Sequence, residues 1–223
     1  MKNFPSLDNI ERLDISEDVR TDNNIFHKKF MWHGTDKATT HRYCRAYFTL
    51  FNDIKYNIKR FMEIGVLEGN SLAAWSELLP NAAIVGVENS KELERSHGNM
   101  LRESSNLFGL DQKDSKRISL RYYDSTSHAQ ARRERMNESN MFDIIVDDGD
   151  HNPYAQLATF YAHEELLKTG GTYIIEDMIG MYGVHVNRVI EEIKLNKTYT
   201  MTYYQSLANT KREVVMLILK KNG

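Results

Sequence analysis

The feature that most constrains the fold is a regular alternation of short apolar strands with helix-forming segments from residue 60 onward. The first predicted strand, 60–64 (RFMEI), leads through a glycine-containing loop into an apolar helix, and similar strand–helix repeats follow it. Helices of about 10 to 15 residues between strands are typical of a parallel sheet that is covered on both faces. Strands buried on both faces are short and almost continuously apolar, as these are.

The end of the chain departs from this alternation. The segments 198–205 (TYTMTYYQ) and 212–219 (REVVMLIL) read as strands, and the loop LANTK between them is too short for a parallel crossover. They are therefore predicted to form an antiparallel hairpin. The predicted fold class is α/β, with a doubly wound, mostly parallel seven-stranded sheet and an antiparallel C-terminal hairpin strand. The five strands of its parallel part are predicted at 60–64, 83–87, 118–123, 142–146 and 172–175.

The chain before residue 60 has a different character. Residues 1 to about 30 are polar with scattered apolar positions and are expected to form an arm or short helices, whereas 42–58 has apolar residues spaced as in an amphipathic helix. We therefore predict an N-terminal arm with helices over 1–56 and a catalytic domain over 57–223. This region is a candidate to form a lid or to contact another subunit, and the sequence leaves the oligomeric state open.

Composition excludes several classes of protein. Hydrophobic residues make up 41% and charged residues 27% of the chain, which is enough apolar material for one substantial core. The formal net charge of −2 gives no electrostatic reason to expect nucleic acid or an anionic membrane as a partner. The single cysteine, Cys44, excludes an intrachain disulfide and a cysteine-rich zinc site. Since no secretory signal and no membrane-spanning run is visible, a cytoplasmic location is expected.

Acidic residues end every strand of the predicted parallel set. Ligands of such sheets bind outside the carboxyl ends of the strands, so these residues are candidates for a binding site. Acidic residues are also common in loops and near helix N-termini, and this structural explanation stays open for each of them taken alone. The residues concerned are Glu63, Glu88, Asp124, Asp147, Asp148, Asp150, Glu176 and Asp177.

The charge of the loop after the first strand favours one kind of cofactor. Gly65 and Gly69 form a Gly-x-x-x-Gly pattern, which by itself indicates only a tight turn between strand and helix. Glu63 and Glu68 would work against the anionic pyrophosphate of a dinucleotide at this place. A ligand with an amino group and a sulfonium, such as S-adenosylmethionine, suits them better. Glu88 can accept from both ribose hydroxyls of either cofactor, and Asp124 can accept from an adenine amino group.

The segment 147–151 (DDGDH) is the most informative part of the sequence. Its carboxylates repel one another unless a cation or hydrogen-bond donors compensate them. If the fourth and fifth strands are neighbours, Asp148, Glu176 and Asp177 converge on one point. Oxygen ligands of this kind suit Mg²⁺, Mn²⁺ or Ca²⁺. His151 lies beside them and could act as a general base.

The segment 33–43 (HGTDKATTHRY) precedes the core and is rich in polar, turn-forming residues. Two interpretations stay open for it. It is either the capped N-terminus of the helix that follows, or a lid that closes over the cofactor or substrate.

These residues together resemble a known family. The segments EIGVLEGNS, DDGDH and IIED with the acid Glu88 are similar to class I S-adenosylmethionine-dependent methyltransferases, which have a Rossmann-like fold. With HGTDKATTHRY, they more narrowly resemble the metal-dependent O-methyltransferases that act on sugars of macrolides and related glycosides. The similarity covers about residues 33 to 220. The chain departs from that pattern at Asp150, where serine is usual, and this puts the substrate in question more than the metal.

The resemblance implies a role for each matching residue. Asp148, Glu176 and Asp177 would hold Mg²⁺, or Mn²⁺ or Ca²⁺, and His151 would take the proton from a substrate hydroxyl. The acceptor would be a small molecule, a sugar or a glycoside. Glu88 would bind the ribose and Asp124 the adenine of S-adenosylmethionine. The remaining predicted cofactor contacts are Glu63, Gly65, Gly69, Ser71, Ser125 and Asp147.

Three alternatives stay open at this point. A metal-independent methyltransferase of the same fold would keep its activity in a chelator. A nicotinamide-dependent reductase would bind NADH, although the acidic glycine loop and the terminal hairpin speak against it. A non-catalytic binding module would bind the cofactor without turnover. The loop 177–185 and the N-terminal arm are the candidate specificity elements.

Overall fold

The computed structural model describes residues 5–15, 24–104, 107–136, 141–179, 183–205 and 214–223. The chain divides into two compact units. We call Ile15–Asp124 the first unit, and Met1–Asp14 together with Ser125–Gly223 the second unit.

The described residues contain eight strands and eight α-helices. The strands are β1 (Glu11–Arg12), β2 (Arg60–Ile64), β3 (Ala83–Glu88), β4 (Ile118–Tyr122), β5 (Phe142–Asp147), β6 (Leu167–Ile179), β7 (Tyr199–Gln205) and β8 (Val214–Lys221). The helices are α1 (Ile25–Trp32), α2 (Cys44–Phe51), α3 (Asn70–Leu78), α4 (Lys91–Ser104), α5 (Gln112–Ser115), α6 (His128–Met136), α7 (Pro153–His163) and α8 (Gly183–Leu195). Short 3₁₀ turns lie at Pro5–Leu7 and Glu164–Leu166.

The strands of the first unit are parallel, in the order β2-β3-β4. Glu63 of β2 lies opposite Gly86 of β3, so the carboxyl ends of these strands are level with each other. Gly86 is needed for packing, because a Cβ there would lie within 2.7 to 2.9 Å of side-chain atoms of Val66, Leu120 and Leu72. Strands β2 and β3 are almost wholly buried, as predicted for a sheet covered on both faces, whereas β4 is only partly buried.

An aromatic cluster joins α1 and α2 to α3 in the first unit. Trp75 of α3 is fully buried, and its ring lies 5.0 Å from Phe30, 4.7 Å from Tyr47 and 4.7 Å from Phe61, centroid to centroid. The pairs with Phe30 and Tyr47 are edge-to-face, and such pairs add about 0.5–1.5 kcal/mol each beyond the area they bury. Residues 25–51 are therefore part of the core of this unit.

The second unit contains the antiparallel part of the fold. Its strand order is β1-β7-β8-β6-β5, in which β5 and β6 are parallel and β8 is antiparallel to both β6 and β7. The predicted C-terminal hairpin pairing is confirmed, and the loop LANTK (207–211) lies outside the described residues. The two-residue strand β1 pairs in parallel with β7 and was not predicted, so the described strands number eight instead of seven. The α/β fold class with mostly parallel strands is confirmed.

Two elements differ from the sequence-based expectation. The helix predicted over 42–58 ends at Phe51 and turns follow it, since Asn52 and Asp53 favour local hydrogen bonds over a continued helix. Strand β6 begins at Leu167 instead of residue 172, because a register shift opposite Phe142 absorbs the glycines at 170 and 171 within the strand. The predicted domain boundary between residues 56 and 57 stays a prediction.

Among the described helices, none combines the length and the apolar character that crossing a bilayer requires.

Candidate active site

Glu63, near the end of β2, is completely buried and has several partners within the protein. The Ser71 hydroxyl donates to its Oε2 at 2.8 Å and the Trp75 indole N–H donates to its Oε1 at 3.3 Å. The Lys37 ammonium, itself 1% exposed, lies 3.7 Å from Oε1. A buried carboxylate is tolerated only when it is paired and hydrogen-bonded. These contacts satisfy that condition, and cofactor binding by Glu63 and Ser71 stays a prediction.

Both glycines of the loop after β2 are required by the backbone. Gly65 has φ +86° and Gly69 has φ +87°, in the left-handed region that other residues rarely adopt. A Cβ at Gly69 would lie 2.0 Å from the ring of Phe108, so a side chain has no room there. The N–H of Gly65 donates to the Val87 carbonyl at 2.9 Å, which ties the loop to β3. The loop thus approaches its neighbours closely with bare backbone, which is the geometry that a bound cofactor needs.

The carboxylate of Glu88 at the end of β3 organises the same loop. It accepts from the backbone N–H groups of Leu67 at 2.9 Å, Asn89 at 2.8 Å and Ser90 at 2.9 Å. Leu67 has φ +48° and is 67% exposed, so the hydrogen bond to Glu88 helps to hold it in a strained conformation. Glu88 therefore shapes the loop in addition to its predicted contact with a ribose.

Asp124 and Ser125 follow β4, as predicted, and both are half-buried. The Ser125 hydroxyl lies 3.2 Å from the Thr159 hydroxyl of α7. Their roles as cofactor contacts stay predictions.

Asp147 is the last residue of β5 and is only 2% exposed. Burial raises its pKa well above the ordinary value, the charges of Asp148 and Asp150 raise it further, and a hydrogen bond from the Gly149 N–H acts in the opposite direction. That bond reaches Oδ1 at 3.2 Å, whereas Oδ2 is buried without a hydrogen-bond partner among the described residues. Buried polar atoms are rarely left unpaired, and the role of Asp147 as a cofactor contact stays a prediction.

Three side chains of the second unit form a group that could hold a metal ion. Asp148, His151 and Asp177 each offer a ligand atom, and these atoms all lie within 4.8 Å of one another. His151 Nε2 lies 3.7 Å from Asp177 Oδ2, and His151 Nδ1 is buried without a hydrogen-bond partner among the described residues. Of the three carboxylates predicted to converge, Asp148 and Asp177 thus lie together, and His151 joins them in the group.

The backbone of β6 is distorted at the point where it supplies Asp177. Between Ile175 and Met178 the register against β8 shifts by one residue, which is a β-bulge. Asp177 lies in this bulge with φ +54°, a conformation that is strained for a residue with a side chain. The bulge re-aims the side chains at the end of the strand, and strain of this kind is concentrated at functional sites.

Glu176 is placed differently from its neighbour. It is 1% exposed, and its backbone carbonyl accepts from the Gln156 side-chain amide of α7 at 2.8 Å. The group of candidate ligands within 4.8 Å does not include Glu176. Its predicted role as a third carboxylate ligand stays a prediction.

Asp150, the position that departs from the family pattern, has a local role. It is exposed, and its Oδ1 accepts from the Asn152 N–H at 2.9 Å. Asn152 in turn caps α7 by accepting from the Tyr154 N–H at 3.0 Å, with Pro153 in the first turn. Asp150 thus stabilises the turn that carries His151, and it is not a member of the candidate ligand group.

Sequence reasoning missed the buried contacts behind the site. Lys37 was placed in a polar, turn-forming segment, and nothing in the sequence distinguishes a buried lysine from the exposed lysines around it. Nothing in the sequence marks Trp75 or Gln156 as contacts of site residues. The signal that could have found Lys37 is indirect: a charged Glu63 within an apolar strand needs a partner of opposite charge.

Comparisons with known proteins agree with this fold. No protein-family model matches the chain. The curated relative mycinamicin VI 2''-O-methyltransferase from Micromonospora griseorubida is 30% identical over 152 residues, which are 64% of this chain and 33% of the relative. The chain thus spans about a third of the length of that relative.

Solved structures share the fold at lower identity. MycE methyltransferase from the mycinamycin biosynthetic pathway, in complex with Mg and SAH, has a TM-score of 0.64 and 19% identity, covering 88% of this chain and 54% of that one. An O-methyltransferase from Bacillus cereus in complex with SAH has a TM-score of 0.62 and 15% identity, covering 89% and 91%. The predicted resemblance to class I S-adenosylmethionine-dependent O-methyltransferases is confirmed.

Proposed function

We propose that the chain is an S-adenosylmethionine-dependent, divalent-metal-assisted O-methyltransferase acting on a hydroxyl of a sugar or glycosylated small molecule. The group of Asp148, His151 and Asp177 carries this proposal, because it brings two carboxylates and an imidazole together. The relative named above, an O-methyltransferase of mycinamicin VI, supports both the reaction and an acceptor of that class.

The donor set fits a divalent cation. Asp148 and Asp177 would hold it through carboxylate oxygens, which hard cations prefer, with Glu176 as the predicted third ligand. The unpartnered Nδ1 of His151 and the strained backbone of Asp177 are further signs of a site built for a ligand. When bound, the ion would lower the pKa of an acceptor hydroxyl and fix its direction.

His151 is the proposed general base. Methyl transfer forms a bond between the acceptor oxygen and the methyl carbon, breaks the sulfur–methyl bond, and releases the hydroxyl proton. His151 takes that proton, and the Asp177 carboxylate 3.7 Å away stabilises the resulting imidazolium. The methyl donor is already activated, so alignment of donor and acceptor is the main task of the protein.

The first unit is proposed to bind the methyl donor. Gly65 and Gly69 let the backbone approach it, Glu88 accepts from its ribose, and Asp124 accepts from its adenine. Cofactor contacts are also proposed for Ser125 and for Asp147, whose Oδ2 has no hydrogen-bond partner among the described residues. Residues 183–185 of the proposed specificity loop are described, whereas 180–182 lie outside the described residues.

The proposal is tested with the two ligands and with matched variants. SAH binding is measured by calorimetry, and methyl transfer to mycinamicin VI and to simpler glycosides is measured with and without EDTA. We expect loss of turnover in EDTA and recovery with Mg²⁺. Asp148→Asn and His151→Ala should lose most of the rate while binding SAH, whereas Asp150→Asn, an exposed neighbour outside the ligand group, should keep it.

Three results would contradict the proposal. Full turnover in EDTA would indicate a metal-independent methyltransferase. Binding of NADH without binding of SAH would indicate a reductase. SAH binding with no turnover on any acceptor would favour a binding module.

A further inference from the structure

We infer that Lys37 is a positioning residue that couples the segment 33–43 to the cofactor loop through its buried ion pair with Glu63. This inference rests on the proposed function, because it concerns how the loop that would hold the methyl donor is kept in shape. The segment 33–43 would then act through Lys37 as an anchor for the loop, which is neither of the two roles, lid or helix cap, that the sequence leaves open for it.

The Lys37 end of the pair is firmly held. The backbone around it turns tightly, with the Thr35 N–H donating to the Phe30 carbonyl at 3.0 Å and the His41 N–H to the Asp36 carbonyl at 3.0 Å. The Cys44 thiol at the start of α2 donates to the Lys37 carbonyl at 3.3 Å. Lys37 is 1% exposed, so its long side chain runs through the interior of the first unit and has little freedom there.

The Glu63 end of the pair is hydrogen-bonded to the helix that follows the loop. Each oxygen of Glu63 accepts from a side chain of α3, Oε2 from Ser71 and Oε1 from Trp75. Ser71 lies in the first turn of α3, two residues after Gly69, the left-handed residue at the N-cap of this helix. A shift of the Glu63 carboxylate would therefore move the start of α3 and the loop from Gly65 to Gly69 with it.

The burial of both charges makes the coupling strong. Removing one partner of a buried ion pair leaves an uncompensated charge, which costs far more than the pair itself contributes. The unit can relieve that cost only by moving Glu63 toward water or by rearranging its other contacts. Either response disturbs Ser71 and the loop, so loss of Lys37 should be felt in cofactor affinity as well as in stability.

A double-mutant cycle on the full chain tests this inference. Lys37→Met, Glu63→Gln and the double variant are titrated with SAH by calorimetry, and amide exchange of residues 65–71 is followed without cofactor. We expect each single variant to weaken SAH binding at least about tenfold and to speed exchange in the loop. The double variant, which has no lone buried charge, should lose clearly less SAH affinity than the losses of the two single variants added together. Lys37→Arg, which keeps the charge, should retain most of the affinity.

The pair of Lys29 and Glu77 is the matched control. It joins α1 to α3 of the first unit, and its side chains are 37% and 21% exposed, so that removing one partner leaves no fully buried charge. Lys29→Met and Glu77→Gln should leave SAH affinity and loop exchange unchanged.

Several outcomes would overturn the inference. One is a lower stability of Lys37→Met with the SAH affinity of the wild type, because the ion pair would then only stabilise the fold. Another is a double variant that recovers stability without recovering affinity. If Lys37→Met does not fold, the double variant and Lys37→Arg decide alone. If the wild-type chain binds no SAH, the proposed function fails, and unchanged loop exchange in the Lys37 variants would separately refute the coupling.

Discussion

Replacing Gly69 with alanine is the sharpest test of the cofactor loop. Two costs add at this position. The left-handed backbone, with φ +87°, costs about 1–2 kcal/mol once a Cβ is present. The Cβ would also lie 2.0 Å from Phe108 Cε1, and such overpacking typically costs about 1–3 kcal/mol. We therefore expect Gly69→Ala to lower the free energy of unfolding by about 2–5 kcal/mol.

Gly34→Ala separates the two costs. Gly34 has φ +72° in the same unit, but nothing lies within 4 Å of a Cβ built on it. It should lose only the backbone part, about 1–2 kcal/mol. In a Phe108→Ala background the steric part at Gly69 should disappear as well, so that both glycine variants cost the same.

The assay is urea unfolding followed by circular dichroism, with SAH binding measured in parallel. Stabilities of native domains are about 5–15 kcal/mol, so the expected difference between Gly69→Ala and Gly34→Ala is measurable. Equal losses for the two single variants would refute the argument that Phe108 packs against the loop. So would an undiminished loss at Gly69 in the Phe108→Ala background.

Three further predictions concern stability. Burial lowers the pKa of His163 to about 4 from the ordinary 6.5, so the unfolded chain takes up the proton first as the pH falls. Stability should therefore drop by up to about 3 kcal/mol between about pH 6.5 and 4, and His163→Gln should remove this part of the pH dependence in urea titrations. Asp177→Gly should raise the free energy of unfolding by about 1 kcal/mol, because glycine adopts a φ of +54° without strain, and it should abolish methyl transfer. A lower free energy of unfolding in this variant would contradict the argument that the Asp177 backbone is strained. Arg117 donates to three backbone carbonyls at and after the end of α3, so Arg117→Ala should cost about 2–3 kcal/mol in thermal unfolding, and a neutral effect would contradict those bonds.

The strands and their order along the chain could be predicted, because a strand buried on both faces is a short and almost continuously apolar segment. Strand β2 spans Arg60–Ile64 as predicted, and β3 and β5 each extend by one residue beyond the prediction. The antiparallel pairing of β7 with β8 followed from loop length alone. Strand β1 was missed because two exposed residues have no apolar pattern to detect.

The candidate site was predictable only in part, for a physical reason. Parallel neighbours bring their carboxyl ends together, so the approach of Asp148 and His151 to Asp177 follows from topology. The bulge that redirects Asp177 arises in the pairing with the antiparallel strand β8, and the residues around Asp177 carry no pattern that predicts it. Glu63 within an apolar strand indicates that a partner of opposite charge is needed, but nothing in one sequence shows that Lys37, 26 residues earlier, is that partner.

The chain's two tryptophans occupy opposite environments, and this gives the protein a built-in optical reporter. Trp32 is 82% exposed, whereas Trp75 is fully enclosed and donates its indole N–H to Glu63. A Trp32→Phe chain would emit from Trp75 alone, at short wavelength and shielded from iodide quenching. Any ligand that moves the Glu63 carboxylate would then change the emission maximum or the lifetime of Trp75 fluorescence, without an added label.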